Sequence, residues 1–224
     1  MKLLASGCSF IYGSELTDEQ STLKHSWLTY PALLAKHLNL EYICVAKPGY
    51  GNDSIARSVV ENISADIGSV VVNWSYSNRF EFYHRYRGWL NLGPTANEDH
   101  YFYKDFGTLA KSFFANLVPE YAYYRYLADI VLLQDFLKVR QIPYIFSSTD
   151  PDFFKAEKIK QYGLAHKNLY DAIDFDHWHV WQDQHQVPVS FVDWAKENEY
   201  PIGPCEHPLE QAHHATFELI KGKL

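Results

Sequence analysis

Four short apolar runs, each followed by a stretch with helical spacing, restrict the fold of this chain more than any other feature. Lys2–Ser6, Glu41–Ala46, Val70–Trp74 and Pro143–Ser147 read as strands. Val70-Val71-Val72 is β-branched throughout, and such side chains favour a pleated surface. Apolar residues at helical spacing predict helices over Trp27–Leu38, Ser54–Ser64, Glu120–Arg140 and Pro208–Ile220. Asn52 or Asp53 is placed to cap the second of these, and Pro208 suits the first turn of the last. Weaker helical pieces lie near Ala156–Tyr170 and Val192–Asn198. The strand runs are continuously apolar, as strands buried on both faces are. Strands alternating with helices predict a three-layer α/β/α domain around a parallel sheet, one domain over residues 1–224.

An aromatic-rich segment, about residues 76–120, interrupts this alternation and reads as an insertion with short helices of its own. It leaves directly from the end of the third strand, so part of it is expected to fold over that rim and narrow whatever site lies there. The chain holds 17 Tyr and 6 Trp, side chains that fill cores or stack against sugars and partners. A net charge of −7 argues against nonspecific nucleic-acid binding, which needs a basic face. The three cysteines, Cys8, Cys44 and Cys205, are widely spaced, fitting neither a disulfide framework nor a paired metal motif. No apolar run is long enough for a membrane span, and the N-terminus reads as a strand rather than a leader. A reducing, cytoplasmic setting is expected.

In open α/β sheets ligands bind at the carboxyl ends of the strands, where strand order switches. Ser9 follows the first strand, Gly49 the second, and Asn73 to Asn78 the third, so all belong at one rim. A serine hydroxyl becomes a nucleophile only with a base to take its proton and donors to hold the oxyanion. His207, before the last helix, is a candidate base. The Ser9 and Gly49 amides, with Asn73, Ser75 or Asn78, are candidate oxyanion donors.

In this order the residues resemble the SGNH (GDSL-type) hydrolase family. Gly7-Cys8-Ser9-Phe10 is similar to its first motif block and Pro48-Gly49 to its second. Val70–Asn73 with the following loop resembles the third, and His207-Pro208 followed by His213 the last. The variant Gly-Cys-Ser-Phe, with Arg79 and Glu81 after the third strand, looks most like bacterial and phage members. The resemblance implies a flavodoxin-like sheet, a Ser9 nucleophile, a His207 base, and hydrolysis of an ester or acyl group without metal or cofactor. Three positions depart from the family pattern. Cys8 stands where an aspartate is usual, Ser75 where the third block has its asparagine, and Pro204 where an acid normally orients the histidine. His207 Nδ1 is therefore expected to find a backbone carbonyl of residues 203–205 or a carboxylate from elsewhere, and Pro204→Asp to raise turnover.

Other readings stand beside this one. Arg79 and Glu81 either form a surface ion pair or bind substrate, Arg79 holding an anionic group by a two-pronged contact. Asp174, Asp176, His177 and His179 are suitable metal ligands, and His-x-His on a strand would put both rings on one face. Cys8 is a packing residue or a rival nucleophile. The aromatic insertion suggests a carbohydrate ester as substrate. A catalytically inactive scaffold of the same fold, acting in binding or structure, is the alternative from another functional class.

Overall fold

The computed structural model describes residues 1–20, 23–93, 106–163 and 165–224. Strands β1 (Lys2–Ser6), β2 (Glu41–Cys44), β3 (Ile67–Trp74) and β6 (Tyr144–Ser148) form one sheet in the order β2-β1-β3-β6, every pairing parallel. Successive side chains point to opposite faces. Leu3, Ala5 and Val71 pack on one face, and Leu4, Val70 and Val72 on the other. Both faces are covered, which is why these runs are continuously apolar. Helices α2 (Tyr30–His37), α6 (Phe191–Glu197) and α7 (Glu210–Ile220) cover the first face; α3 (Asn52–Asn62) and α5 (Pro119–Val139) cover the second. The expected three-layer α/β/α architecture is present.

The boundaries move for local reasons. Pro31 in the first turn starts α2 at Tyr30 rather than Trp27. Gly51, not Asn52 or Asp53, caps α3, because the Asn52 side chain is spent holding the loop after β3. Pro208 sits before α7 and pairs with Ile202 in an isolated bridge. The helical pieces expected near Ala156–Tyr170 are Ala156–Lys158, a wider turn at Ile159–Gly163, and Lys167–Asp171.

The insertion carries an unforeseen antiparallel hairpin, β4 (Phe80–His84) with β5 (Gly88–Leu92), before helix α4 (Gly107–Asn116). Residues 94–105 lie outside the described residues. The hairpin is tied to α3 through Glu81, Asn91 and Asp53. Among the described residues, no helix is long and apolar enough to cross a membrane.

The sheet's order switches at β1, whose neighbours are β2 on one side and β3 on the other. A crevice therefore opens between the carboxyl ends of β1 and β3. The segments that leave those ends, residues 7–16 and 75–79, meet there.

Candidate active site

A cavity of about 1010 Å³ occupies this crevice. Its floor includes Cys8, Ser9 and Phe10; Tyr76 to Arg79 form one wall, and Cys205 to His207 another. Phe114, Leu117 and Pro119, from the insertion and its junction with α5, also line it.

Ser9 is the first residue of a short helix, α1 (Ser9–Tyr12), with Cys8 in the capping position. The Ser9 side chain is thus not the helix cap. Its N–H, at the first turn, has no intrahelical acceptor and remains available to a ligand. Cys8 is buried, its thiol 3.9 Å from Thr149 Oγ1. No hydrogen bond joins the Ser9 hydroxyl to His207, although both line the cavity. Such contacts commonly tighten only when substrate binds.

The acid that the sequence did not place is Glu15. Its Oε2 lies 2.7 Å from His207 Nδ1, across 192 residues of sequence. The Cys205 N–H donates to both carboxylate oxygens, at 2.9 and 3.0 Å. Gly203 makes the approach possible: a Cβ there would stand 2.7 Å from the Glu15 carboxyl carbon. Glu15 itself is held at φ 71°, a left-handed conformation uncommon outside glycine. Burial alone pushes its carboxyl up, but the Cys205 N–H and the His207 ring together bring it below the ordinary glutamate value. An ionised Glu15 accepts from Nδ1–H, which leaves His207 Nε2 free to take a proton. The Phe10 ring packs edge-on against the imidazole at 5.5 Å. No spacing rule in the sequence marks Glu15, since its partner is reached only through the fold.

Pro204 is exposed and supplies no orienting group. Glu206 also turns away, pairing with Lys196. His213 is buried, its Nδ1 accepting the Tyr30 N–H, and burial lowers its imidazole to about 3. It packs rather than reacts.

The candidate oxyanion donors separate. Asn78 lines the cavity. Asn73 is fully buried, its amide donating to Ser147 and accepting from Thr149, so it is not free to serve. Ser75 is likewise buried, its N–H bound to Asn52 Oδ1 and its hydroxyl accepting from Arg79 Nη1. Gly49 is exposed at φ 84° with open space around it, a turn glycine that does not line the cavity.

Arg79 and Glu81 do not form a pair. Arg79 faces the cavity. Glu81 is buried behind it and takes a two-pronged contact from Arg57, at 2.9 and 2.6 Å, with a further bond from Ser54. Glu81 is a structural anchor of the hairpin and touches no substrate space.

The His-x-His segment is not a strand with two rings on one face. His177 ends a 3-10 turn (Phe175–His177) and packs at a tilt against the Tyr144 ring; His179 is buried against Trp181. Among the described residues, no three of His, Cys, Asp and Glu gather as a metal site would require.

Comparison with known families decides one point. Residues 14–222 match the family described as "Family of unknown function (DUF6071)". The chain belongs to that family. The match spans both Glu15 and His207. No curated protein matches the chain in sequence. Among solved structures, it is similar to a putative lipolytic protein of the G-D-S-L family from Desulfitobacterium hafniense, at 14% identity and TM-score 0.52. That alignment covers 100% of this chain and 99% of the other. It is also similar to a carbohydrate esterase family 2 enzyme with a carbohydrate-binding domain from Corynascus thermopiles, at 15% identity and TM-score 0.50, covering 98% of this chain and 64% of that one. At such identities the likeness is one of fold. The chain shares with both an α/β fold built on a parallel sheet.

Proposed function

We propose that the protein is a serine hydrolase that cleaves an ester through Ser9, His207 and Glu15. The observation that carries this reading is the Glu15–His207 contact at 2.7 Å, beside a cavity that also exposes Ser9. Glu15 fixes the Nδ1–H tautomer, and His207 Nε2 takes the Ser9 proton as Oγ attacks the ester carbonyl. The Ser9 N–H and the Asn78 amide receive the negative oxygen. Protonated His207 then gives its proton to the departing alcohol, and water releases the acyl group by the same route in reverse order. The ionised Glu15 stabilises the transient imidazolium, which a backbone carbonyl at residues 203–205 would do less well.

The walls favour a substrate with a ring. Tyr76 and Tyr162, less buried than the Tyr123 and Phe153 that also line the cavity, can offer faces that stack on sugar rings. A carbohydrate ester suits such a wall, and one structural neighbour is a carbohydrate esterase by name.

A fluorophosphonate probe, read by peptide mass, tests the nucleophile. Labelling at Ser9 is expected, together with loss of several orders of magnitude in model-ester turnover in Ser9→Ala. Activity that survives Ser9→Ala but disappears in Cys8→Ala would assign the nucleophile to the thiol. A folded wild type that neither labels nor turns over any ester would favour the inactive scaffold.

A further inference from the structure

We infer that Arg79 is a specificity-determining residue that binds an anionic group, a carboxylate or a similar planar oxyanion, carried by the ester. The inference rests on the proposed hydrolase reading for its context and on the Arg79 geometry for its content.

Arg79 lies in the wall of the cavity that Ser9 and His207 share. Its Nη1 donates to the Tyr50 carbonyl at 3.0 Å and to Ser75 Oγ at 2.8 Å. Those two acceptors use both hydrogens of Nη1 and fix the plane of the guanidinium. Three donors remain, one on Nε and two on Nη2. The Nε–H and one Nη2–H run parallel along one edge, the edge that matches the two oxygens of a carboxylate.

Among the described residues, nothing takes that edge. Among the described residues, no carboxylate pairs with Arg79, whereas Arg57 pairs with Glu81 and Arg125 with Asp53. The acids lining the same cavity are engaged elsewhere. Asp152 pairs with Lys155, Glu206 with Lys196, Asp193 accepts from Ser190, and Asp150 accepts the Asp152 N–H. Among the described residues, the partners of this half-buried cation are neutral oxygens and the face of Tyr76.

The surrounding loop holds this arrangement. Asn52 accepts the Ser75 N–H at 2.7 Å and donates to the Ser75 and Tyr76 carbonyls. Gly51 leaves room for it, since a Cβ there would stand 3.2 Å from Arg79 Cβ. The fold therefore spends a buried asparagine, a buried serine and a glycine on aiming one arginine. A charged, two-pronged contact is worth about 10- to 100-fold in binding.

Matched ester pairs test this: the 4-nitrophenyl monoester of glutarate against 4-nitrophenyl valerate, and 3-acetoxybenzoate against phenyl acetate. The first pair places the carboxylate on the acyl side and the second on the alcohol side. The wild type is expected to prefer the carboxylated member of at least one pair by about 10- to 100-fold in kcat/KM, chiefly through KM. Arg79→Gln should bring that ratio close to one, and Arg79→Lys, which keeps a charge without the fork, should leave it between the two. If Arg79→Gln does not fold, Arg79→Lys alone carries the comparison. Calorimetric titration with glutarate and benzoate reads the same site without turnover. Binding by the wild type that Arg79→Gln loses supports Arg79 even if no ester is hydrolysed and Ser9 does not label, an outcome that would sink the hydrolase reading alone. A wild type with no carboxylate preference and no carboxylate binding overturns the inference. So does an equal fall in kcat for both members of a pair, which would make Arg79 an oxyanion donor.

Discussion

Replacing Glu15 by glutamine is the most searching test of the catalytic arrangement, because the two side chains have nearly the same shape. Oε2 of Glu15 accepts from both His207 Nδ1 and the Cys205 N–H, while Oε1 accepts from Cys205 alone. An amide cannot satisfy that pattern. With its oxygen at the Oε2 position, its NH2 group meets the Cys205 N–H, donor against donor. With the amide reversed, the NH2 group faces Nδ1 and drives His207 into the tautomer that cannot accept the Ser9 proton. Either orientation also removes the negative charge beside the imidazolium. Loss of tautomer control in such a triad costs on the order of 10⁴ in kcat, and loss of charge alone costs less. The expected fall is about 10²- to 10⁴-fold, or roughly 3–5 kcal/mol of activation free energy.

Stability should change far less. The Glu15 and His207 side chains are only 18% and 17% exposed, but one hydrogen bond survives in either amide orientation. A loss of about 1 kcal/mol is expected. Turnover of 4-nitrophenyl acetate, a thermal melt and the imidazole ¹⁵N shifts together separate the effects. In the wild type the shifts should show the proton on Nδ1; in Glu15→Ala that preference should disappear. Because the Glu15 carboxyl sits below its ordinary value in the folded state, its contribution to stability is complete above the unfolded value and is lost as pH falls through the folded one. A Glu15→Gln enzyme that keeps kcat within threefold of wild type, with an intact fold, refutes the assignment.

Three further outcomes follow from neighbouring geometry. Gly203→Ala puts a Cβ 2.7 Å from the Glu15 carboxylate, whose flexible end can retreat, so turnover should fall at least about tenfold while stability drops by no more than about 1 kcal/mol; unchanged turnover would mean that the carboxylate position is immaterial. Glu81→Ala should destabilise the fold by about 1–3 kcal/mol in a denaturant titration, since it removes the acceptor of Arg57 Nε and Nη2 and leaves that guanidinium only Glu61 as an ionic partner, with little effect on KM. Asp129, on α5, is pushed up to about 7 by burial and by Asp53, against the pull of Arg125. Its folded form binds a proton that the unfolded form has released between about pH 4 and 7, so stability falls as pH rises through that window. Asp129→Asn should therefore raise Tm at pH 8 and leave it nearly unchanged at pH 4.

Much of the sheet was legible because burial on both faces writes itself as continuous apolar runs. Leu3-Leu4-Ala5, Val70-Val71-Val72 and Tyr144-Ile145-Phe146 send neighbours to opposite cores, as strands covered on both faces do. The hairpin was harder to see, although Phe80 and Phe82 alternate with Glu81 and Tyr83. Glu81 is buried rather than exposed, so the alternation does not divide core from solvent as a half-buried strand should. The pieces near Ala156–Tyr170 are helical as their spacing implies, but spacing alone does not mark where the chain widens into a π-type turn at Ile159–Gly163.

The carboxylate proposed to orient His207 escaped for a reason specific to such sites. Motif blocks carry residues that lie close together in sequence, and a proline at position 204 reads there as the loss of an acid. What Nδ1 requires is only a charged acceptor at hydrogen-bonding distance, whatever segment supplies it. Here the loop after α1 supplies it, turning at Gly13 with φ 78° and presenting Glu15 to the opposite wall. The receiving wall is built to match, with Gly203 bare where the carboxylate passes and the Cys205 N–H aimed at both its oxygens. Introducing Pro204→Asp into the wild type should then gain nothing, because Nδ1 already has its partner. In a Glu15→Ala background the same change tests whether the wall can accept an acid at the family's usual position. Restored turnover there would show that orientation of His207, rather than the identity of Glu15, is what the reaction requires.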